Sequence, residues 1–166
     1  MILAIDVDYE ESSALAAGVL FSNWEDAEAK DIFTSTINQV NEYQPGNFYK
    51  RELPCILRLL DEHNLKPDII LVDGYVFLDG AKAAGLGKYL YDALEYKPIV
   101  IGVAKRAFKD ISPKYAVYRG ESKNPLYVTS VGLDVSFALE GIARMHGEYR
   151  IPDLLKKVDQ VCRGRC

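Results

Sequence analysis

Apolar residues in this chain come in short, dense runs, and their spacing changes along its length. Ile2-Leu3-Ala4-Ile5 opens the chain; Ile69-Ile70-Leu71-Val72 and Ile99-Val100-Ile101-Gly102-Val103-Ala104 follow further on. Runs of this length, bounded by turn residues, predict buried strands. Strands are therefore expected at 1–9, 14–22, about 29–37 around Ile32, Phe33 and Thr34, 69–73, 99–104, and near 115–119 and 126–130. Elsewhere the period becomes helical. Leu53, Ile56, Leu57 and Leu60 predict a helix over 48–63, in which Pro54 suits only the first turn. Helices are also expected at 79–94, at 134–146 and from about 152, where Pro152 marks the start. Pro45-Gly46 marks a turn in the polar stretch before the first helix.

The order of these elements sets the fold class. Three strands joined by short turns pair antiparallel, whereas strands separated by helical crossovers pair parallel. The expectation is an α/β fold: a mixed β-sheet of three antiparallel strands and then parallel strands, flanked by helices. With 166 residues and no internal repeat, low-complexity tract or linker, residues 1–166 are expected to form a single domain.

Composition narrows the functional classes. No apolar run is long enough to span a bilayer, so no membrane partner is expected. The N-terminus enters a strand with no basic segment before it, which argues against a signal peptide. Cys55, Cys162 and Cys166 are an odd count without paired spacing, which favours free thiols in a reducing, cytoplasmic compartment. A zinc site built on them would lack ligands, since only His146 is at all near. The net charge of −4 argues against bulk nucleic-acid binding but leaves room for a local basic rim. Lys50-Arg51, Lys105-Arg106, Lys109, Lys114 and the stretch from Lys156 to Arg165 are rim candidates, and equally read as ordinary solvated charges.

The chemistry is carried by acids. Asp6 follows one apolar run and Asp73 ends another. A carboxylate on a buried strand is costly unless something pairs with it, and a divalent cation is a common partner for two. Asp6 and Asp8 share one strand face, and Asp8 is read as solvated at the strand end. Glu52 and Asp159 complete a set of four acids, suggesting a metal-dependent hydrolase. Each also has a bland reading: Asp73-Gly74 as a plain turn, and Glu52 as a complement to a helix dipole. Other motifs fail. In Gly80 to Lys88, Lys82 stands where a phosphate loop needs glycine and Tyr89 where it needs Ser or Thr. Neither His63 nor His146 sits in a triad-like setting, and no Gly-x-Ser-x-Gly elbow is present.

Taken in order, the motifs resemble those of the endonuclease V family. Asp6-Val7-x-Tyr9 resembles its first acidic strand, Tyr43-Gln44-Pro45-Gly46 its wedge, and Arg51-Glu52-Leu53-Pro54 its second acidic motif. Leu71-Val72-Asp73-Gly74 matches the third acid, and Ile101-Gly102-Val103-Ala104-Lys105 the strand that carries a lysine. Tyr149-Arg150-Ile151-Pro152 matches the C-terminal signature and puts Asp159 at the last acid. The resemblance spans Ile2 to about Asp159. It implies a ribonuclease-H-like fold and Mg²⁺-dependent nicking of DNA or RNA near inosine, with Mn²⁺ as a substitute ion. It implies Asp6, Glu52, Asp73 and Asp159 as metal ligands, and Lys105 as the group that stabilises the phosphate or orients the nucleophile. Tyr43, Pro45, Gly46, Gly74 and Tyr75 would contact the nucleic acid, Tyr43 as a wedge beside the lesion.

The chain also departs from the family pattern. Glu42 replaces a proline before the wedge, Tyr75-Val76 replaces His-Gly, and Asp79 stands where histidine is typical. Val131-Gly132-Leu133-Asp134 replaces a Gly-His-Arg/Lys sequence, and the family's extension before the first strand is missing. These changes leave the metal set intact and fall on groups near the nucleic acid. An alternative reading is therefore a nucleic-acid-binding relative with weak or absent catalysis. A third is a hydrolase of small phosphoesters.

Overall fold

The computed structural model describes residues 1–40 and 48–164. β1 (Ile2–Glu10), β2 (Ser13–Phe21) and β3 (Asp31–Ile37) form the expected antiparallel meander, with Ile5 opposite Gly18 and Gly18 opposite Phe33. β4 (Ile69–Asp73) and β5 (Ile99–Ala104) run parallel to β1. Helices α1 (Phe48–Glu62) and α2 (Leu86–Ala93) make the two crossovers. β6 (Ala116–Val117) and β7 (Leu126–Val131) complete a sheet in the order β3-β2-β1-β4-β5-β7-β6. β7 turns back antiparallel on β5, and β6 on β7. Only a single 3-10 turn, Pro113–Tyr115, and β6 lie between β5 and β7, too little to carry the chain back for a parallel pairing.

Period-2 alternation splits the apolar residues between two cores. Leu3, Ile5, Ile70, Val72 and Val100 face α1 and α2, packing on Ile56, Leu59 and Leu90. Ile2, Ala4, Leu71, Ile101 and Val103 face the other way. There they meet Ala138 and Ile142 of α3 (Val135–Arg144) and Leu154 and Val158 of α4 (Asp153–Cys162). Fully burying one such aliphatic side chain stabilises by about 1.5–3 kcal/mol, so each layer is anchored several times over. None of the described helices is long and apolar enough to cross a membrane.

Two expectations change. The helix predicted from residue 79 begins only at Leu86, because Asp79 instead caps a turn. Its Oδ1 accepts the backbone N–H groups of Ala81, Lys82 and Ala83 at 2.7–3.0 Å. Gly80 follows at φ 92°, with Tyr115 so close that a Cβ there would lie 2.1 Å from its ring. Pro54 falls beyond the first turn of α1, since the helix starts at Phe48. There it cannot donate to the carbonyl four residues back.

Arg119 ties the second layer together. It is 6% exposed, yet its guanidinium donates to four backbone carbonyls, those of Met145, Gly147, Tyr149 and Arg150, at 2.6–3.2 Å. These carbonyls line the connection between α3 and α4. The clamp therefore fixes where α4, and the acid it carries, sits against the sheet.

Candidate active site

Asp6 lies midway along β1, and in the parallel register its neighbour Ile5 pairs with Val72. One step further brings Asp6 beside Asp73, at the end of β4. Asp6 shares its face with Ile2 and Ala4, and Asp73 shares its face with Leu71; both therefore point to the layer of α3 and α4. Lys105 follows β5 on the same parity as Ile101 and Val103. Asp159, on the last full turn of α4, comes down onto Asp6 from above. One carboxylate oxygen from each of the two, with Cys162 Sγ, falls within a 4.8 Å group.

These side chains line a small cavity of about 30 Å³. Asp6, Asp73 and Lys105 supply its polar part, and Leu71, Val103, Ile151, Leu155 and Val158 are among its apolar walls. The space suits an ion with little water and is far too small for a nucleotide. Apolar walls make charge expensive here. Burial first, and then the negative field of Asp73, push the Asp6 carboxyl from 3.8 up to about 7. A hydrogen bond shared with Asp159 pushes Asp6 in the same direction. Burial also raises Asp159, but the hydrogen bonds from Arg163 and Asp6 outweigh it and hold this carboxyl low; Arg163 Nε lies 2.9 Å from Asp159 Oδ1. Burial raises Asp73 as well, against the pull of Lys105, whose Nζ lies 3.7 Å from Asp73 Oδ2.

Glu52 comes from the opposite layer. It is 4% exposed on α1 and feels both Asp6 and Asp73. Burial and those two acids raise its carboxyl well above the usual range. Its Oε2 is buried with no hydrogen-bond partner. A buried carboxylate oxygen left unpaired is costly, and a cation is the group that would relieve it. Beside it, the Arg51 guanidinium stacks on the Tyr9 ring at 3.7 Å. Asp6, Glu52, Asp73 and Asp159 could offer oxygen donors, which suit a hard divalent cation, while the donor atoms that lie within 4.8 Å of one another are those of Asp6, Asp159 and the Cys162 thiol.

The remaining residues singled out from sequence divide. Tyr43, Pro45 and Gly46 lie outside the described residues. Gly74 sits at φ 136°, and its N–H donates to Val103 O at 3.1 Å, closing the end of β4 onto β5. A Cβ on Gly102 would lie 2.5 Å from Gly74 O, so the two strand ends approach as only glycine allows. Tyr75 is 9% exposed and turns onto the loop after β5. Its hydroxyl donates to Arg106 O at 2.5 Å and accepts from Phe108 N at 3.0 Å. Asp79 is spent on its own turn. Leu133 packs against the core, and Asp134 caps α3 through Ser136 N. Reasoning from sequence argued against Cys162 as a metal ligand for want of partners, yet its thiol, which burial and nearby acids hold protonated, lies beside Asp6 and Asp159. It grouped Arg163 only with a basic tail. Both sit three or four residues from Asp159, a helical spacing that predicts contact.

Known proteins share this arrangement of chain. An endonuclease V from Streptomyces avermitilis superposes with a TM-score of 0.73 at 25% identity, covering 98% of this chain and 79% of its own. One from Bacillus subtilis reaches 0.80 at 18% identity, covering 98% and 79%. A Ciona intestinalis endonuclease V, solved with a 24mer DNA containing an inosine followed by a ribo-adenosine, reaches 0.79 at 17%, covering 98% and 84%. The endonuclease V family model matches residues 1–120. That stretch holds β1 through β6 with Asp6, Asp73 and Lys105, which line the cavity, and the buried Glu52; the chain belongs to the endonuclease V family.

Proposed function

We propose that residues 1–166 act as a single-domain, divalent-metal-dependent endonuclease that hydrolyses a phosphodiester near inosine in DNA or RNA. The observation that carries this reading is the unpartnered, buried Glu52 Oε2 among acids that repel one another. Asp6 and Asp73 would be the principal holders of Mg²⁺ or Mn²⁺, with Glu52 and Asp159 completing the set. A cation so held stabilises charge on the attacking and leaving oxygens and lowers the pKa of bound water. Asp6 must lose its proton to solvent to serve, and a cation held beside it would favour the ionised carboxylate. Lys105, on the rim and 3.7 Å from Asp73, orients the scissile phosphate and offsets its charge. Tyr43 would wedge beside the lesion, and the inosine would sit against Gly74 and Tyr75 once drawn from the stack. The free thiols of Cys55 and Cys162 suit a reducing, cytoplasmic setting.

One observation favours a rival, the binding relative without catalysis. Tyr75 is pinned by two hydrogen bonds and Asp79 by three, so neither is free to meet a base. Incubation with matched inosine and adenosine oligonucleotides, as DNA and as RNA, with Mg²⁺ or Mn²⁺, separates the two. The nuclease nicks the inosine strands, and Asp6→Asn does not. Tight binding of inosine strands with no nick under either ion would establish the rival.

A further inference from the structure

Lys105 lines two cavities of opposite character. On one side is the acidic site. On the other is a larger space of about 410 Å³, bounded by Lys105, Arg106, Asn124, Pro125, Tyr127 and Arg150. No carboxylate lines it. Arg106 is exposed and, among the described residues, forms no ion pair. Arg150 is held rigidly by carbonyl oxygens alone. Its Nε donates to Asn124 O at 2.9 Å, and its Nη2 donates to Pro125 O at 2.9 Å and to Lys105 O. Carbonyls orient a guanidinium without cancelling its charge. The space therefore presents a fixed cation, a mobile one and the half-buried Tyr127, directly beside the lysine assigned to the scissile phosphate.

We propose that this cavity is a second phosphate subsite, holding a neighbouring backbone phosphate of the same nucleic-acid strand. The inference rests on the nuclease reading and adds a direction to it: from the acids the strand runs past Lys105 and between Arg106 and Arg150. A planar guanidinium already fixed in place loses little freedom on meeting a phosphate. Arg106, for its part, lies in the loop that Tyr75 pins through Arg106 O and Phe108 N, so the subsite's backbone is in place before the strand arrives. The cavity is roomy enough for a phosphate with bridging waters.

The test is binding of a fluorescein-labelled single-stranded inosine oligonucleotide in Ca²⁺ across a salt series, paired with steady-state cleavage in Mg²⁺. Arg106→Gln should lower the salt slope by about 0.7, one phosphate contact on a single strand. It should raise KM several-fold and leave kcat and the urea midpoint unchanged. Arg106→Glu should weaken binding further. Lys66→Gln, just ahead of β4 and so at the opposite end of the sheet from Asp73, should match wild type. An unchanged slope in Arg106→Gln, with wild type still nicking inosine strands, overturns the subsite and leaves the nuclease reading standing. A loss confined to kcat also overturns it, because Arg106 would then act on the reacting phosphate. A wild-type protein that binds no oligonucleotide overturns both.

Discussion

Replacing Asp6 with Asn should make the metal-free protein more stable at pH 8. Asp6 titrates near 3.8 unfolded and near 7 folded, raised first by burial and then by Asp73. The folded state therefore holds a proton that the unfolded chain has lost, and stability falls as pH rises between those two values. Below 3.8 the penalty is absent, and above about 7 it is complete. At about 1.4 kcal/mol per pH unit, keeping Asp6 ionised in the folded protein costs on the order of 4 kcal/mol. Relaxation around the ionised pair sets that as a ceiling. Asn carries no such cost, and its amide can donate to Asp159. Urea unfolding followed by the fluorescence of Trp24, the one tryptophan, measures the difference. Wild type and Asp6→Asn in EDTA should match near pH 4 and diverge by one to a few kcal/mol at pH 8. Saturating Mn²⁺ at pH 8 should then restore wild type, by about 2.7 kcal/mol at a hundredfold excess over Kd. It should leave the variant little changed. Equal stability of the two proteins in EDTA at pH 8 would refute the argument that Asp6 is ionised at a cost within the fold.

Three further outcomes are expected. Asp73→Asn should weaken Mn²⁺ binding by calorimetry and reduce the thermal stabilisation by that ion; unchanged affinity would remove Asp73 from the ligand set. Arg119→Met strands four backbone carbonyls, the buried one of Met145 and three part-buried ones, and should cost about 1–3 kcal/mol in urea unfolding, with the loss independent of metal. Tyr43→Ala should leave stability intact and reduce discrimination between inosine and adenosine strands by about 1–3 kcal/mol, the usual worth of base–aromatic stacking. A fall in stability with selectivity unchanged would make Tyr43 a covering aromatic instead.

The sheet was legible because its strands are unusually explicit. Ile2 to Ile5 and Ile69 to Val72 are too apolar and too β-branched for any half-exposed element, and acids at their ends advertise a site. The convergence of Asp6 with Asp73 follows from parallel pairing alone. Other features depend on contacts that no local pattern encodes. Asp79 looks like an ordinary member of a helical stretch until its carboxylate captures three backbone donors. The polarity of β7 depends on the absence of an α-helix between residues 104 and 126, a weak signal in a sequence dense with short strands. Arg119 reads as one more surface charge, and only the fold shows four carbonyls turned toward it. Arg150 was visible as part of a signature, but its carbonyl cage and the basic cavity beside it depend on three segments meeting.

The acids come from residues 6, 52, 73 and 159, and the helix carrying the last of them packs on β1 and β2, the first hairpin in chain order. A partly synthesised chain therefore cannot own the complete site. With α4 still inside the ribosome, Asp159 is missing, the wall made by Leu155 and Val158 is absent, and Asp6 faces water. A hydrolase of nucleic acid made beside its own messenger and ribosomal RNA gains by this order of assembly. On the proposed reading, activity waits for α4 to close on β1 and β2, a long-range closure that ranks among the slower folding events.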